Sequence, residues 1–190
     1  MSFLPFPKHF DANEWFIIAG LLAGYGAVLL LKKQFPLPVS LLIILFGITV
    51  PKLWDATLAV KPFELYDIND YPMLEMSDVF LHLVYGPFAY MFVYVHCRFR
   101  IKGLPTVAWI IGYSLLGVGM EWIGALAKVY THKQWNYLYS FFIYGCLQGL
   151  LLVFYRQWLT SYIQPQKENE TKKRPNLRRG DRHKLDPIVK

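Results

Sequence analysis

Five ionisable side chains interrupt long apolar stretches of this 190-residue sequence, and each is a candidate for chemistry: Lys52, Asp55, Asp78, His82 and Glu121. A charged group is costly to insert into a membrane, so one that is found there is a functional candidate. Asp78 and His82 are four positions apart, and Lys52 and Asp55 are three positions apart. Either spacing places both side chains of a pair on one face of a helix. Histidine with carboxylates can hold a divalent metal, and a buried carboxylate can act as a general acid or base.

Three interpretations of these side chains stay open from the residues alone. In the first, Lys52 neutralises Glu121 or Asp55, and tyrosines satisfy the remaining oxygens, so that the charges only specify helix packing. In the second, the charges form an externally open pocket that binds or senses a small ligand, a cation or a lipid head group. In the third, Glu121 or Asp55 is the general acid or base of a membrane enzyme.

Among functions we favour ligand binding over catalysis, with a structural subunit of a membrane complex as a further alternative. The chain has no nucleophile motif, no Gly-rich phosphate loop and no His-Glu-x-x-His pattern, which argues against an enzyme. The Asp-x-x-x-His spacing by itself does not assign a metal, and no cofactor is predicted.

The stretch 64–78 concentrates acids between two apolar segments: Glu64, Asp67, Asp70, Glu75 and Asp78. Apolar residues alternate with these acids, and a purely solvated loop has no need of them. We therefore expect the stretch to fold over the helix ends, with Asp67 or Asp70 above the intramembrane charges. A lid of carboxylates favours a cation as the ligand. The predicted ligand-binding residues are Lys52, Asp55, Asp67, Asp70, Asp78, His82 and Glu121.

A polar stripe runs along the last apolar segment at steps of three or four residues: Tyr137, Ser140, Tyr144 and Gln148. These steps put the four side chains on one helix face, which we expect to point into the bundle. His132, just before this segment, is predicted to be an exposed loop residue.

Five apolar segments must position these side chains, at 15–31, 37–60, 78–97, 105–129 and 137–158. Each is close to the ~20 residues with which a helix crosses a bilayer. The composition agrees, because 55% of the residues are hydrophobic and 17% are charged, against about a quarter charged in soluble domains. The sequence therefore predicts an all-α integral membrane bundle of five transmembrane helices over residues 1–162.

Two further features concern single helices. Gly20, Gly24 and Ala27 in the first segment offer a small surface on which a neighbouring helix can pack. Pro51 is expected to kink the second helix, and the alternative is that this helix stops at Val50.

The chain end, 163–190, is polar and basic and has no apolar periodicity, so it is predicted to be a disordered tail. Of the 20 Lys and Arg residues, 15 lie on the side of the membrane that holds this tail. Because positive charge marks the cytoplasmic side, we expect a plasma-membrane protein with its N-terminus outside and its C-terminus in the cytoplasm. The tail is expected to meet anionic inner-leaflet lipids and not nucleic acid. A homo-oligomer or a larger membrane complex stays open.

Three stretches carry a resemblance to a known family, namely YDIND at 66–70, LVYGPFAYMFVYVHCRFRIKG at 83–103 and GMEWIGALAKVYTHKQWNYLYSFFIY at 119–144. They resemble small multi-spanning membrane proteins of unknown function from spore-forming, Bacillus- and Clostridium-like bacteria. The shared features are an acidic Tyr-x-Ile-Asn-Asp loop, a Tyr-x-Pro-Phe helix, a Glu-Trp pair and a Trp-x-x-x-Tyr-Ser-Phe segment.

In this chain these features fall at 66–70, 85–88, 121–122 and 135–141, and the resemblance covers about residues 50–160. The chain departs from the family pattern at Phe142, where proline is common. The resemblance implies the multi-spanning architecture and one constellation that contains both the acidic loop and Glu121. It implies no activity.

Overall fold

The structure, a computed structural model, describes residues 11–59, 65–68, 76–159 and 161 of the chain. The chain divides into two compact units, Met1–Leu152 and Val153–Lys190. The described part contains five α-helices and two short strands, namely α1 Ala12–Leu30, α2 Leu37–Leu58, β1 Tyr66–Ile68, α3 Met76–Arg98, α4 Leu104–Leu126, β2 Tyr130–His132 and α5 Tyr137–Phe154. A short π-helix, Tyr155–Leu159, follows α5 within the second unit. The predicted basic tail at 163–190 lies outside the described residues.

All five α-helical segments are long and apolar enough to cross a membrane, which confirms the predicted fold class, a membrane bundle of five helices. Their outer faces expose large apolar side chains, such as Leu30 at 90% and Leu104 at 81%. Exposed apolar area on this scale is unfavourable in water but matches contact with lipid. The chain therefore has the architecture of a multi-pass membrane protein.

The observed helix boundaries differ from the predicted ones by a few residues, and the ends of the second and fourth helices are informative. The second helix, α2, runs through Pro51 to Leu58, so the alternative stop at Val50 is wrong. The fourth helix, α4, ends at Leu126 and not at residue 129, because the chain turns into a left-handed conformation just beyond it.

This turn is a Schellman motif with Lys128 at the left-handed position, where φ is 62°. The amide of Val129 donates to the carbonyl of Gly124 at 2.9 Å, and the amide of Lys128 donates to Ala125 at 3.1 Å. Val129 is fully buried in a small core with Ile17 and Leu81. The turn therefore directs the chain from α4 back over the bundle and into β2.

The third helix, α3, packs closely against α2 because glycines face each other's helix. A Cβ atom added at Gly47 would lie 2.5 Å from the Cβ of Ala89, and one at Gly86 would lie 2.8 Å from Ile44 Cγ2. Real Cβ atoms do not approach so closely, so both positions require glycine to keep this helix spacing. The two helices run antiparallel, and the last turn of α2 lies beside the first turns of α3.

The first helix, α1, packs on another side of α3 through the predicted small residues. Gly20 faces Val84, with a built Cβ at 3.3 Å, and Gly24 faces Pro87 at 3.0 Å. The prediction that these glycines form a helix-packing surface is confirmed.

The fourth and fifth helices join the bundle mainly through aromatic and polar side chains. The Tyr113 hydroxyl of α4 donates to the Phe88 carbonyl of α3 at 2.8 Å. Ser114 of α4 donates to the Gln148 side-chain oxygen of α5 at 3.3 Å, and both residues are buried. The polar face of α5 thus points into the bundle, as its spacing predicted.

The two strands pair antiparallel at the end of the bundle where α2 and α4 end and α3 and α5 begin. Their register places Tyr66 opposite His132 and Ile68 opposite Tyr130. Ile68 packs against the small core that contains Leu81. The described part of the acidic stretch therefore lies on the helix ends, as expected, but the strands themselves were not predicted.

Candidate functional site

The first polar cluster surrounds Asp55 in the last turns of α2. The Tyr66 hydroxyl donates to Asp55 Oδ1 at 2.5 Å, and His82 Nε2 lies 2.8 Å from Asp55 Oδ2. The other imidazole nitrogen, Nδ1, lies 2.5 Å from the backbone carbonyl oxygen of Asp78. His82 is buried at 3% exposure, so neither contact is shared with bulk water.

The donors and acceptors around His82 and Asp55 determine the net charge of this pair. A backbone carbonyl oxygen only accepts, so His82 Nδ1 must carry a hydrogen. A further proton must lie between Nε2 and Asp55 Oδ2, because two bare acceptors would repel each other at 2.8 Å. Whichever atom holds that proton, His82 and Asp55 together are neutral.

The second polar cluster surrounds Glu121, a buried residue of α4. Its Oε1 accepts a hydrogen bond from Ser140 Oγ at 2.9 Å and lies 3.0 Å from His132 Nε2. Its Oε2 accepts a hydrogen bond from the Tyr144 hydroxyl at 2.7 Å. The Trp135 indole in turn donates to Ser140 Oγ at 2.7 Å, which directs the serine hydrogen to Glu121. The Glu121 carboxylate therefore accepts hydrogen bonds from two hydroxyl groups and contacts an imidazole nitrogen, and such contacts stabilise the ionised form of a carboxylate.

The strands bring the two clusters together. Tyr66 and His132 face each other across the sheet, and the ring of Tyr66 contacts the ring of Trp135 at a centroid distance of 5.2 Å. The hydroxyl groups of Tyr85 and Tyr130 are hydrogen-bonded to each other at 2.5 Å. Side chains from α2, α3, α4, α5 and both strands thus meet in one polar region.

Two tyrosines of the strands have perturbed acidities. Burial raises the pKa of Tyr66 well above its ordinary value of 10.0, and the neighbouring Asp55 carboxylate raises it further. Burial also raises the pKa of Tyr130, while its hydrogen bond with Tyr85 acts in the opposite direction. Both phenols are therefore neutral hydrogen-bonding groups at physiological pH.

A cavity of about 200 Å³ connects the two clusters and extends from them into the bundle. Its lining runs along α2 from Asp55 back to Phe46, which is about 13 Å of helix at 1.5 Å per residue. Along α5 it runs from Ser140 to Leu151, about 16 Å. Both carboxylates line the end near the strands, and the lining beyond them is mostly apolar.

The structure brings some of the predicted site residues together. Asp55, His82 and Glu121 belong to the two clusters, with Asp55 and Glu121 on the cavity wall. Lys52 is half-buried and does not line the cavity. The described carboxylates of Asp55 and Glu121 are contacted by His82 and His132 respectively and not by Lys52, so the expected neutralisation of either carboxylate by Lys52 is not observed.

The structure describes only some of the acidic residues in the stretch 64–78. Asp78 is buried and contributes its backbone carbonyl to His82. Asp67 pairs with Thr131 through the backbone of the sheet. The side chain of Asp67 and the whole of Asp70 lie outside what the structure describes, so their predicted place above the cluster stays a prediction.

Sequence reasoning missed several residues of the site. His132 was expected to be an exposed loop residue, and this is wrong, because it lies on Glu121 with 18% of its side chain exposed. Tyr66 and Tyr130 were also missed as site residues. The signal that was available is the aromatic and histidine content of two short connections on the same side of the membrane.

The described residues contain no group of three or more His, Cys, Asp or Glu side chains that could hold a metal ion. Comparisons of the chain with protein-family models, with curated proteins and with solved structures produced no match.

Proposed function

We propose that this multi-pass membrane protein binds a small ligand in the cavity between α2 and α5, with the polar clusters around Asp55 and Glu121 at its recognition end. The observation that carries the proposal is that two acidic side chains from different helices line one cavity whose remaining lining is mostly apolar. Ligand sites have this composition, a mostly apolar pocket with a few convergent polar groups.

Binding is favoured over catalysis by how the carboxylates are held. Both oxygens of Asp55 and both oxygens of Glu121 already contact hydrogen-bonding side chains of the protein. Groups held in this way present fixed polarity to a ligand, whereas a general base needs an oxygen that is directed at the substrate. Preorganised polar groups on rigid elements suit recognition.

Orientation in the membrane is a further part of the proposal. The 15 basic residues on the side of the tail, against 5 on the other, support a cytoplasmic C-terminus. In that orientation the strands and the polar end of the cavity are on the external side of a cell membrane, and the ligand is bound from that side.

A cavity-filling variant tests whether the cavity is a binding site. Leu147 lines the cavity, whereas Leu150 on the same helix is 52% exposed and does not. We expect wild type and Leu150→Trp, extracted gently into lipid discs, to retain a small molecule that mass spectrometry detects in proportion to protein. Leu147→Trp should lose it. Equal retention in the two variants, or no retained molecule in wild type, would contradict the proposal.

A further inference from the structure

We infer that the ligand is an amphiphilic organic cation with a single positive charge, such as an alkylammonium, and that Glu121 is its counter-charge. This inference rests on the proposed ligand-binding function, and it names the chemical class that the cavity selects. It depends on the charge, the aromatic lining and the length of the cavity.

Charge comes first. Among the described residues that line the cavity, none is Lys or Arg, and two are carboxylic acids, Asp55 and Glu121. The proton held between His82 and Asp55 makes that pair neutral, as its hydrogen bonds require. The inferred site holds His132 as a neutral imidazole that donates Nε2–H to Glu121, a form that this contact allows. One negative charge, that of Glu121, is thus left to be compensated by a ligand.

The aromatic lining fits a cation of low hydration. Tyr66, Trp135, Tyr85 and Tyr144 line the cavity, and the Tyr66 and Trp135 rings contact each other beside it. Ring faces attract ammonium groups, most strongly where the site is desolvated. A divalent metal fits less well, because the described residues provide no cluster of three metal-binding side chains.

The remaining lining fits an apolar tail. Beyond the carboxylates the cavity continues along about 13 Å of α2 between side chains such as Phe46, Phe88 and Leu147. A simple metal or ammonium ion would leave this part unfilled. A phospholipid head group would bring a phosphate, for which the described lining has no Lys or Arg. A ligand with one cationic group and an alkyl chain matches both the carboxylate end of the cavity and its apolar remainder.

The test compares probes with six-carbon chains and different head groups: hexyltrimethylammonium, 1-hexanol and hexyl sulfate, each with one chain, and dihexanoylphosphatidylcholine, with two. Binding is measured as a saturable rise of the melting temperature of the purified protein, since a ligand of the folded state stabilises it by mass action. We expect hexyltrimethylammonium to stabilise wild type and Leu150→Trp but not Leu147→Trp. The other three probes should act only at concentrations higher by about tenfold or more.

Glu121→Gln tests the counter-charge. We expect this variant to bind hexyltrimethylammonium about tenfold or more weakly than wild type does. Its binding is measured as the rise above the melting temperature of the same variant without ligand. Asp11→Asn is the matched control, because Asp11 is exposed at the start of α1, does not line the cavity, and asparagine caps a helix as well as aspartate. It should leave binding unchanged. If Glu121→Gln does not fold, the preference among the four probes in wild type still decides the question.

The outcomes separate this inference from the proposed function. If 1-hexanol, hexyl sulfate or the short phosphatidylcholine binds as well as the cation and Leu147→Trp blocks it, the cavity binds ligands but the inferred charge class is wrong. If no probe stabilises wild type in a way that Leu147→Trp blocks, both the inference and the proposed function are overturned.

Discussion

Tyr66 and His132 are opposite each other in the two-stranded sheet, yet their side chains reach carboxylates on different helices. Tyr66 donates to Asp55 of α2, and His132 contacts Glu121 of α4. A short sheet of three residues per strand thus supplies a hydrogen-bonding contact to each carboxylate at the polar end of the cavity.

Glu121→Gln should destabilise the protein by about 1–3 kcal/mol, because a buried acceptor of several hydrogen bonds becomes an amide whose NH₂ group faces donors. The free energy of unfolding in detergent measures this loss. Adding Lys52→Met should not restore stability, since the described contacts of the Glu121 carboxylate are with Ser140, Tyr144 and His132. Recovery in the double variant would mean that Lys52 and Glu121 interact after all.

Stability should fall as the pH rises above the ordinary tyrosine pKa of 10.0, partly because of Tyr66. Its pKa is raised in the folded protein by burial and then by Asp55, so above this pH the unfolded chain has lost a proton that the folded protein keeps. Unfolding then becomes more favourable with increasing pH. Tyr66→Phe should reduce the slope of unfolding free energy between about pH 8 and about pH 11. An unchanged slope would show that Tyr66 is not buried against Asp55.

Lys128→Gly should stabilise the protein by up to about 1 kcal/mol, because a left-handed residue with a Cβ is strained and glycine is not. Lys128 has a φ of 62° and its side chain is exposed, so little else is lost. Lys102→Gly is the control, because Lys102 is an exposed residue of a connection with a negative φ. It should be neutral or slightly destabilising. Thermal unfolding compares the two, and equal effects would argue against the turn described after α4.

Labelling with a membrane-impermeant thiol reagent tests the orientation. In a background that lacks Cys97 and Cys146, a cysteine at Gln134, an exposed position beside the strands, should react from outside intact cells. A cysteine at Lys102, at the other end of the bundle, should react only after the membrane is permeabilised. The reverse pattern would place the cavity entrance in the cytoplasm.

Much of the fold follows from the sequence because it depends on local properties. Segment length and hydropathy predict the five spans, and steps of three and four residues predict that Ser140, Tyr144 and Gln148 face inward. Glycine at 20 and 24 predicts a packing surface because a residue without a Cβ allows close approach of a neighbouring helix, whichever helix that is. The strands escaped prediction, since three residues are too few to show an alternating pattern.

The sequence by itself determined that charged groups on several helices would occur at one end of the bundle. Only the tertiary structure decided which groups meet: Asp55 has a lysine one helical turn away on α2, yet it contacts His82 and Tyr66 from other elements. The position of His132 on Glu121 depends on the left-handed turn at Lys128 and on strand pairing with Tyr66. Contacts of this kind join residues far apart in the chain, and their partners are selected by helix packing and strand register, which no local pattern encodes.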